Sequence, residues 1–379
     1  MLGGCGGGGD AGDGPDADAD TDVDTDADGD NGVSGDERCP ACDDPPSCGG
    51  SEVLSCCVCV AVPTEEIVRT SCDQLVDDEF CGEGDPDLTC FDTDPIPGKV
   101  VSRTMAGTLD VFGNGVEPDG VLIDVHEEID GTMGALLGSG TADVAGCGDA
   151  LGEDVACCVA NIEAGLEEDA CPEGGCACVE RDPDNPDEAR LLAYYEVSAP
   201  IDTNVPLVVK TSGDTGFWKE LYSYNVVNED GETREIGGET VSWYEARVLS
   251  VDDYESIPAV AGVGRIESGR GVLAGEIHDC GDVRLSFVQV STQPDPPGDL
   301  GVLYFNGNDE DPLPVASRTE GTCPLGLYAS MNIEAGPTYV SAVGLWQGER
   351  VSLGWYQVEV FGDSVTAVTL RGLMPHQVQ

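Results

Sequence analysis

Eighteen cysteines against three histidines bound the chemistry open to this 379-residue chain. Nine cysteines fall within 39–90 and six within 147–178, leaving Cys5, Cys280 and Cys323 apart. Zinc sites usually draw on histidine as well as thiolate, so the ratio points to disulfides formed in an oxidising compartment. Cys39-Pro-Ala-Cys42 and Cys176-Ala-Cys178 keep a metal reading open beside it. With Cys5 set aside the count is an odd 17, so one thiol is free or paired between chains unless Cys5 joins a bridge.

Acid–base and nucleophilic chemistry find little footing. In His126-Glu127-Glu128-Ile129-Asp130, Asp130 stands where a helical zinc-protease motif needs its second histidine, and Gly131 ends any helix there. The stretch reads as a surface turn after a strand at 121–125. His278 beside Asp279 offers an acid–base pair, against which stands a plain histidine in a turn between two strands. There is no Gly-x-Ser-x-Gly elbow and no phosphate-cradling glycine loop with a lysine. Carboxylates are so abundant that no single pair points to glycoside hydrolysis. Trp346 and Trp355 read as core or sheet-face residues before sugar platforms. The expectation is a chain that is not an enzyme, with no catalytic residue, cofactor or metal ligand.

Charge narrows the partners. The formal net charge is −58, from 74 acids and 16 bases. Asp10 to Glu37 holds 12 acids and no base, and −46 remains without them, so acidity belongs to the whole chain. Nucleic-acid affinity is built on Lys and Arg contacts, which excludes that class. An anionic membrane surface is repelled for the same reason. No run of about 18 apolar residues offers a transmembrane helix.

The N-terminus supplies an address. Leu2-Gly3-Gly4-Cys5 resembles a bacterial lipobox, at which lipoprotein precursors are lipidated on cysteine and cleaved. Only Met1 and Leu2 precede it, where a basic segment and an apolar segment belong, and the expectation is a true start further upstream. A two-chain lipid anchors stably, whereas one chain binds marginally. In such families a non-acidic residue after the cysteine, here Gly6, goes with export to the outer membrane of a Gram-negative bacterium. From Asp16 to Asp30 every second residue is Asp. Like charges at that density extend a chain with nothing to bury, giving a disordered acidic tether over 6–37. Asp24 to Gly29 matches half of an EF-hand loop, but Gly35 occupies the position of the bidentate acid, leaving weak Ca2+ binding at most.

The elements that follow are a small cysteine-rich module and then strands. Residues 38–97 are too few and too polar to hold a shape without disulfides. In the last hundred residues, β-rich runs at 271–277, 284–292, 301–306, 326–332, 338–346, 352–360 and 364–370 are split by Gly, Pro and Asp turns. They predict an antiparallel β-sandwich. Gly275, Val288, Val290, Gly326, Tyr328, Gly336, Pro337 and Val340 carry a resemblance to the carboxypeptidase regulatory-like domain, a transthyretin-like sandwich, over 270–373. The resemblance implies a non-catalytic sandwich, since the peptidase domain of those enzymes has no counterpart here. Within it Cys280 and Cys323 are the only thiols, and a disulfide between them would close a loop worth about 4 kcal/mol in the chain-entropy picture. Two buried thiols are the alternative.

A degenerate second copy precedes this unit, in 106–128 and 191–213, with 147–178 as a cysteine-rich insertion. Strands near 217–227 and 240–249 complete it. The predicted fold is all-β: two tandem antiparallel sandwiches at 98–250 and 270–373, transthyretin-like or Ig-like, joined by a linker over 251–269 in which Ser250 caps a short helix. The predicted function is that of a non-catalytic surface lipoprotein anchored through Cys5, serving structure, adhesion or binding. A carbohydrate- or peptide-binding module at a loop end is the second reading, and a cryptic hydrolase the third.

Overall fold

The computed structural model describes residues 47–56, 58–75, 80–91, 99–112, 118–146, 153–164, 176, 178–181, 189–227, 233–236, 238–297, 301–308 and 312–371. Cys5, the tether over 6–37 and the Asp24–Gly29 half-loop lie outside them, as do Cys39 and Cys42.

In chain order, the cysteine-rich part holds β1 (Glu52–Ser55), β2 (Val58–Ala61) and β3 (Val68–Arg69). Then come β4 (Ser102–Phe112), β5 (Leu122–Ile129), β6 (Thr132–Thr141), helix α1 (Glu153–Glu163), β7 (Val179–Arg181) and β8 (Ala189–Leu191). β9 (Tyr194–Asp202), β10 (Pro206–Ser212), β11 (Trp218–Lys219) and β12 (Leu221–Val227) follow. β13 (Thr233–Ile236), β14 (Glu239–Trp243), β15 (Ala246–Ser250) and helix α2 (Val251–Val260) close the first half. The second half comprises β16 (Arg270–Glu276), β17 (Leu285–Ser286), β18 (Gln289–Gln293), β19 (Leu303–Phe305) and β20 (Pro314–Val315). It ends with β21 (Leu327–Glu334), β22 (Gly336–Trp346), β23 (Glu349–Val360) and β24 (Val365–Val368). The architecture is all-β and sandwich-like.

The halves share one sheet. Nine strands run β20-β19-β21-β16-β24-β12-β10-β5-β6. The short β24 joins them, pairing in parallel with β16 of its own half and with β12 of the other. Strand β12 is accordingly buried along its whole length. Part of this sheet faces β18-β22-β23, enclosing a core that includes Leu273, Tyr328, Val340, Leu353 and Val358. Its β5, β10 and β12 face a six-stranded sheet of β11-β15-β4-β14-β13 with β9, around Met105, Ile123, Tyr195, Leu207 and Val248.

Each half carries a helix on its outer face. Helix α1 sets Val155, Cys158 and Ile162 against Ala106, Tyr194 and Val241. Helix α2 sets Tyr254 and Ile257 against Val272, Leu327, Met331 and Val365. Covered on both faces, β21 is buried at six of its eight residues, Ser330 among them. The Ser250 hydroxyl accepts from the Asp253 amide at 2.9 Å, the cap expected from the sequence, and Asp252 and Asp253 sit favourably at the positive end of the helix dipole. The first ten residues of the stretch read as a linker are thus a packed helix.

An internal repeat is written in the backbone. Gly107 faces Tyr195 in the β4–β9 ladder, and Gly275 faces Tyr328 in the β16–β21 ladder. The third strand's parallel pairing is interrupted beside each glycine and then resumes in the same register: from Trp243–Ala106 to Ala246–Leu109 in one half, and from Ala367–Ala274 to Leu370–Ile277 in the other. In both halves the tyrosine hydroxyl donates to a carbonyl at that interruption, Tyr195 to Tyr244 at 2.8 Å and Tyr328 to Val368 at 2.9 Å.

The cysteine-rich part is built onto the second half. Strand β3 pairs with β17, and Ile67 enters the core beside Val340. Disulfides join Cys48 to Cys59, Cys72 to Cys81 and Cys158 to Cys176, and Cys178 is disulfide-bonded as well, so the Cys176-Ala-Cys178 motif is not a metal site. The expected Cys280–Cys323 bond does not form. Cys280 bonds Cys90, 190 positions away, while Cys323 is a buried thiol among Leu325, Leu327 and the α2 side chains. Cys280 sits in the turn after β16, where the cysteine-rich part docks, and that docking is not visible in sequence spacing.

Candidate functional site

The turn that follows β16 gathers the chain's densest ionic chemistry. Glu276 ends β16 with its side chain 3 % exposed, and it takes three partners. His278 Nε2 donates to it at 2.8 Å, Arg284 Nε donates at 3.1 Å, and Arg247 from β15 donates to its other oxygen. His278 Nδ1 donates to Asp282 at 2.7 Å, and Asp282 also accepts from Arg371 at 3.2 Å. Alongside, Asp279 accepts from Arg69 Nε at 2.5 Å and from the backbone amides of Asp87, Gly281 and Val283. Arg69, Arg247, Arg284 and Arg371 are four of only 16 basic residues in the chain.

The electrostatics follow from burial and pairing. Burial pushes the Glu276 carboxyl up, but Arg247, Arg284 and His278 outweigh it and hold the group well below the usual carboxylate range. Asp282 is likewise raised by burial, then held down to about 2 by His278 and Arg371. Burial lowers His278, and its bonds to Asp282 and Glu276 outweigh that and raise it. Two carboxylates accepting from one ring mean both nitrogens carry protons. Such an imidazolium has no lone pair with which to take a proton, and at 2 % exposure it is shut off from substrate. What the cluster does is join elements: Arg247 reaches from one half to Glu276 of the other, and Arg69 ties the cysteine-rich part to Asp279.

A second polar joint crosses the halves. Tyr356 of β23 donates to Glu128 of β5, whose other oxygen accepts the Asn225 amide at 3.1 Å. Burial raises the Glu128 carboxyl to about 7, against the pull of these two bonds.

The residues singled out from sequence fall as follows. His278 is bonded to Glu276 and Asp282, not to Asp279, and is buried, which corrects both the His278–Asp279 pair and the plain turn histidine. His126 lies inside β5, which continues to Ile129, so the predicted surface turn begins only at Asp130-Gly131. Its Nδ1 lies 3.2 Å from the Gly134 carbonyl oxygen. Trp346 packs partly buried against the second core, and Trp355 meets Tyr339 edge to face at 5.9 Å between ring centroids. Glu276, Arg284, Arg247 and Arg371 were not picked out from sequence. A strand acid flanked by His278 and Arg284 was the available signal, though Arg247 and Arg371 arrive from distant positions. Among the described residues no group of three or more His, Cys, Asp or Glu could hold a metal ion, and no helix is long and apolar enough to cross a membrane. No family model matches the chain, and no curated protein matches it.

Proposed function

We propose that this chain is a non-catalytic, exported surface protein, anchored through lipid on Cys5, whose β units serve structure, adhesion or binding. The observation that carries the reading is the Cys90–Cys280 disulfide beside the Arg69–Asp279 ion pair. A covalent link between segments 190 positions apart belongs to an oxidising compartment. Combined with ionic joints between the halves, it suits a part that must keep its shape outside the cell. The resemblance of 270–373 to carboxypeptidase regulatory-like domains supports a scaffold role. Antibody raised to the folded protein tests the location: binding to intact cells of the native host is expected, and binding only after cell lysis overturns it.

The half-buried Tyr339–Trp355 pair on the three-stranded sheet favours a second reading, a glycan- or peptide-binding module. Glycan-array binding that disappears in Trp355→Ala would establish it.

A further inference from the structure

The two polar joints between the halves differ in one respect. Glu276, at the first, is met by Arg247, Arg284 and His278. Glu128, at the second, is also buried, at 8 % exposure. What acts on its carboxyl is burial, the Tyr356 hydroxyl and the Asn225 amide, with no Lys, Arg or His among them. A buried carboxylate without a counter-charge is costly, and the group escapes that cost by keeping its proton.

The surroundings of Glu128 come from several strands. On β5 itself the ionisable neighbours are Glu127, Asp130 and His126, whose Nδ1 lies 3.2 Å from the Gly134 carbonyl oxygen. Met133 of β6 stands opposite Glu128 in the ladder. From β12 come Tyr224 and Asn225, and the Asn225 side chain donates to the Thr369 carbonyl beyond β24 at 2.8 Å. From β23 come Tyr356 and Glu359. Tyr224 is raised by burial and by the Glu359 and Glu128 carboxylates, so both acids lie within electrostatic reach of it. The ionisable groups that β12 and β23 bring here are thus two phenols and an acid, and an ionised Glu128 gains no counter-charge from them. The two phenols are repeat counterparts. Leu221 to Val226 and Leu353 to Val358 align as Leu-x-x-Tyr-Asn/Gln-Val, and the Pro206–Val227 and Pro337–Glu359 pairs fix the same offset. The fit is close as well. Asp130 and Gly131 turn the chain from β5 into β6 at positive φ, and a Cβ on Gly131 would lie 2.3 Å from the Gln357 carbonyl oxygen of β23.

We propose that Glu128 is a pH-sensitive latch between the halves: protonated, it holds the end of the β5–β6 hairpin against β23, and ionised, it releases them while β12 and β24 stay paired. Closed, the acid and the Tyr356 hydroxyl keep a hydrogen bond whichever of them donates. Ionised, the carboxylate needs water, and hydrating it means parting the Asp130-Gly131 turn from β23. Burial raises the carboxyl to about 7, so the latch is closed in mild acid and released in mild alkali. Glu276, held well below the usual carboxylate range by its cations, keeps the other joint shut throughout. The latch is independent of where the protein is anchored.

Hydrogen exchange of the full chain between about pH 5.5 and 8.5, with each rate divided by its intrinsic value, tests it. The slowly exchanging amides of 126–133 and 355–359 should lose about tenfold or more of their protection with a midpoint near pH 7, while those of 221–224 and 365–368 keep theirs. Glu128→Gln should hold the protection constant. Tyr356→Phe removes a bond that lowers the carboxyl, so it should move the midpoint to higher pH. Protection that does not change with pH, an equal loss in all four segments, or the same loss in Glu128→Gln overturns the proposal. Should Glu128→Gln not fold, an unmoved midpoint in Tyr356→Phe overturns it instead.

Discussion

Gly275 and Tyr328 face each other across the β16–β21 ladder, and the tyrosine hydroxyl reaches over the glycine to the Val368 carbonyl at 2.9 Å. Gly107, Tyr195 and the Tyr244 carbonyl repeat the arrangement in the other half. A Cβ on either glycine would lie 1.8 Å from that carbonyl oxygen. The glycines are there because the neighbouring strand passes too close for any side chain. Gly107→Ala and Gly275→Ala should each destabilise by about 3 kcal/mol or more, by urea denaturation. Gly50→Ala, where a Cβ meets nothing within 4 Å, should be near neutral. Mild effects at both glycines would mean the shared geometry is not a constraint.

Breaking the ionic cluster should be costly because it strands charge in the interior. Glu276→Gln leaves Arg247, Arg284 and His278 facing a neutral amide, and a loss of about 3 kcal/mol is expected. Unchanged unfolding free energy would show that the cluster contributes nothing to the joint between the halves.

Stability should peak in mildly acidic solution. Glu276 and Asp282 are depressed in the folded state, so their contribution is present above the usual carboxylate range and fades as pH falls, for Asp282 towards about 2. His278 is raised from 6.5, so its contribution is complete below that value and is lost as pH rises through the folded one. Glu128 is raised from 4.5 to about 7, so the unfolded chain releases that proton first and stability falls across this window, by about 3 kcal/mol. Urea midpoints measured from pH 4 to 9 should show the decline, and Glu128→Gln should flatten its lower part. A rise in stability between pH 5 and 7 would contradict the assignment.

The Cys90–Cys280 bond should matter more than the short-range bridges. Cys90→Ala with Cys280→Ala should lower stability by about 2–5 kcal/mol. Limited proteolysis should then cut preferentially within 47–91, since that part loses a covalent link to the second half and keeps only non-covalent ones. Unaltered proteolysis would show that the non-covalent seam suffices.

The strands were legible because their apolar runs and Gly, Pro and Asp turns are local signals, and every run named in the last hundred residues contains a strand. The repeat was legible for the same reason, through Gly-led strands and the later tyrosines. The shared sheet was not: β24 is a four-residue Val-Thr-Ala-Val segment, and nothing in it says that its second edge pairs with Leu221–Tyr224. Disulfide partnership is equally silent, so proximity within one unit suggested Cys323 where docking of a distant segment supplies Cys90. His278 looked ordinary because its carboxylates flank it at positions 276 and 282 while the balancing arginines come from 247 and 371.

Peptide mass spectrometry of the protein taken from its native host, alkylated before any reduction, is the most direct measurement. A linked Cys90–Cys280 peptide pair and a diacylglyceryl adduct on Cys5 are expected of an exported, anchored scaffold. Cys90 and Cys280 recovered as separately alkylated thiols, with Cys5 unmodified, would contradict it and return the cysteines to a reducing compartment.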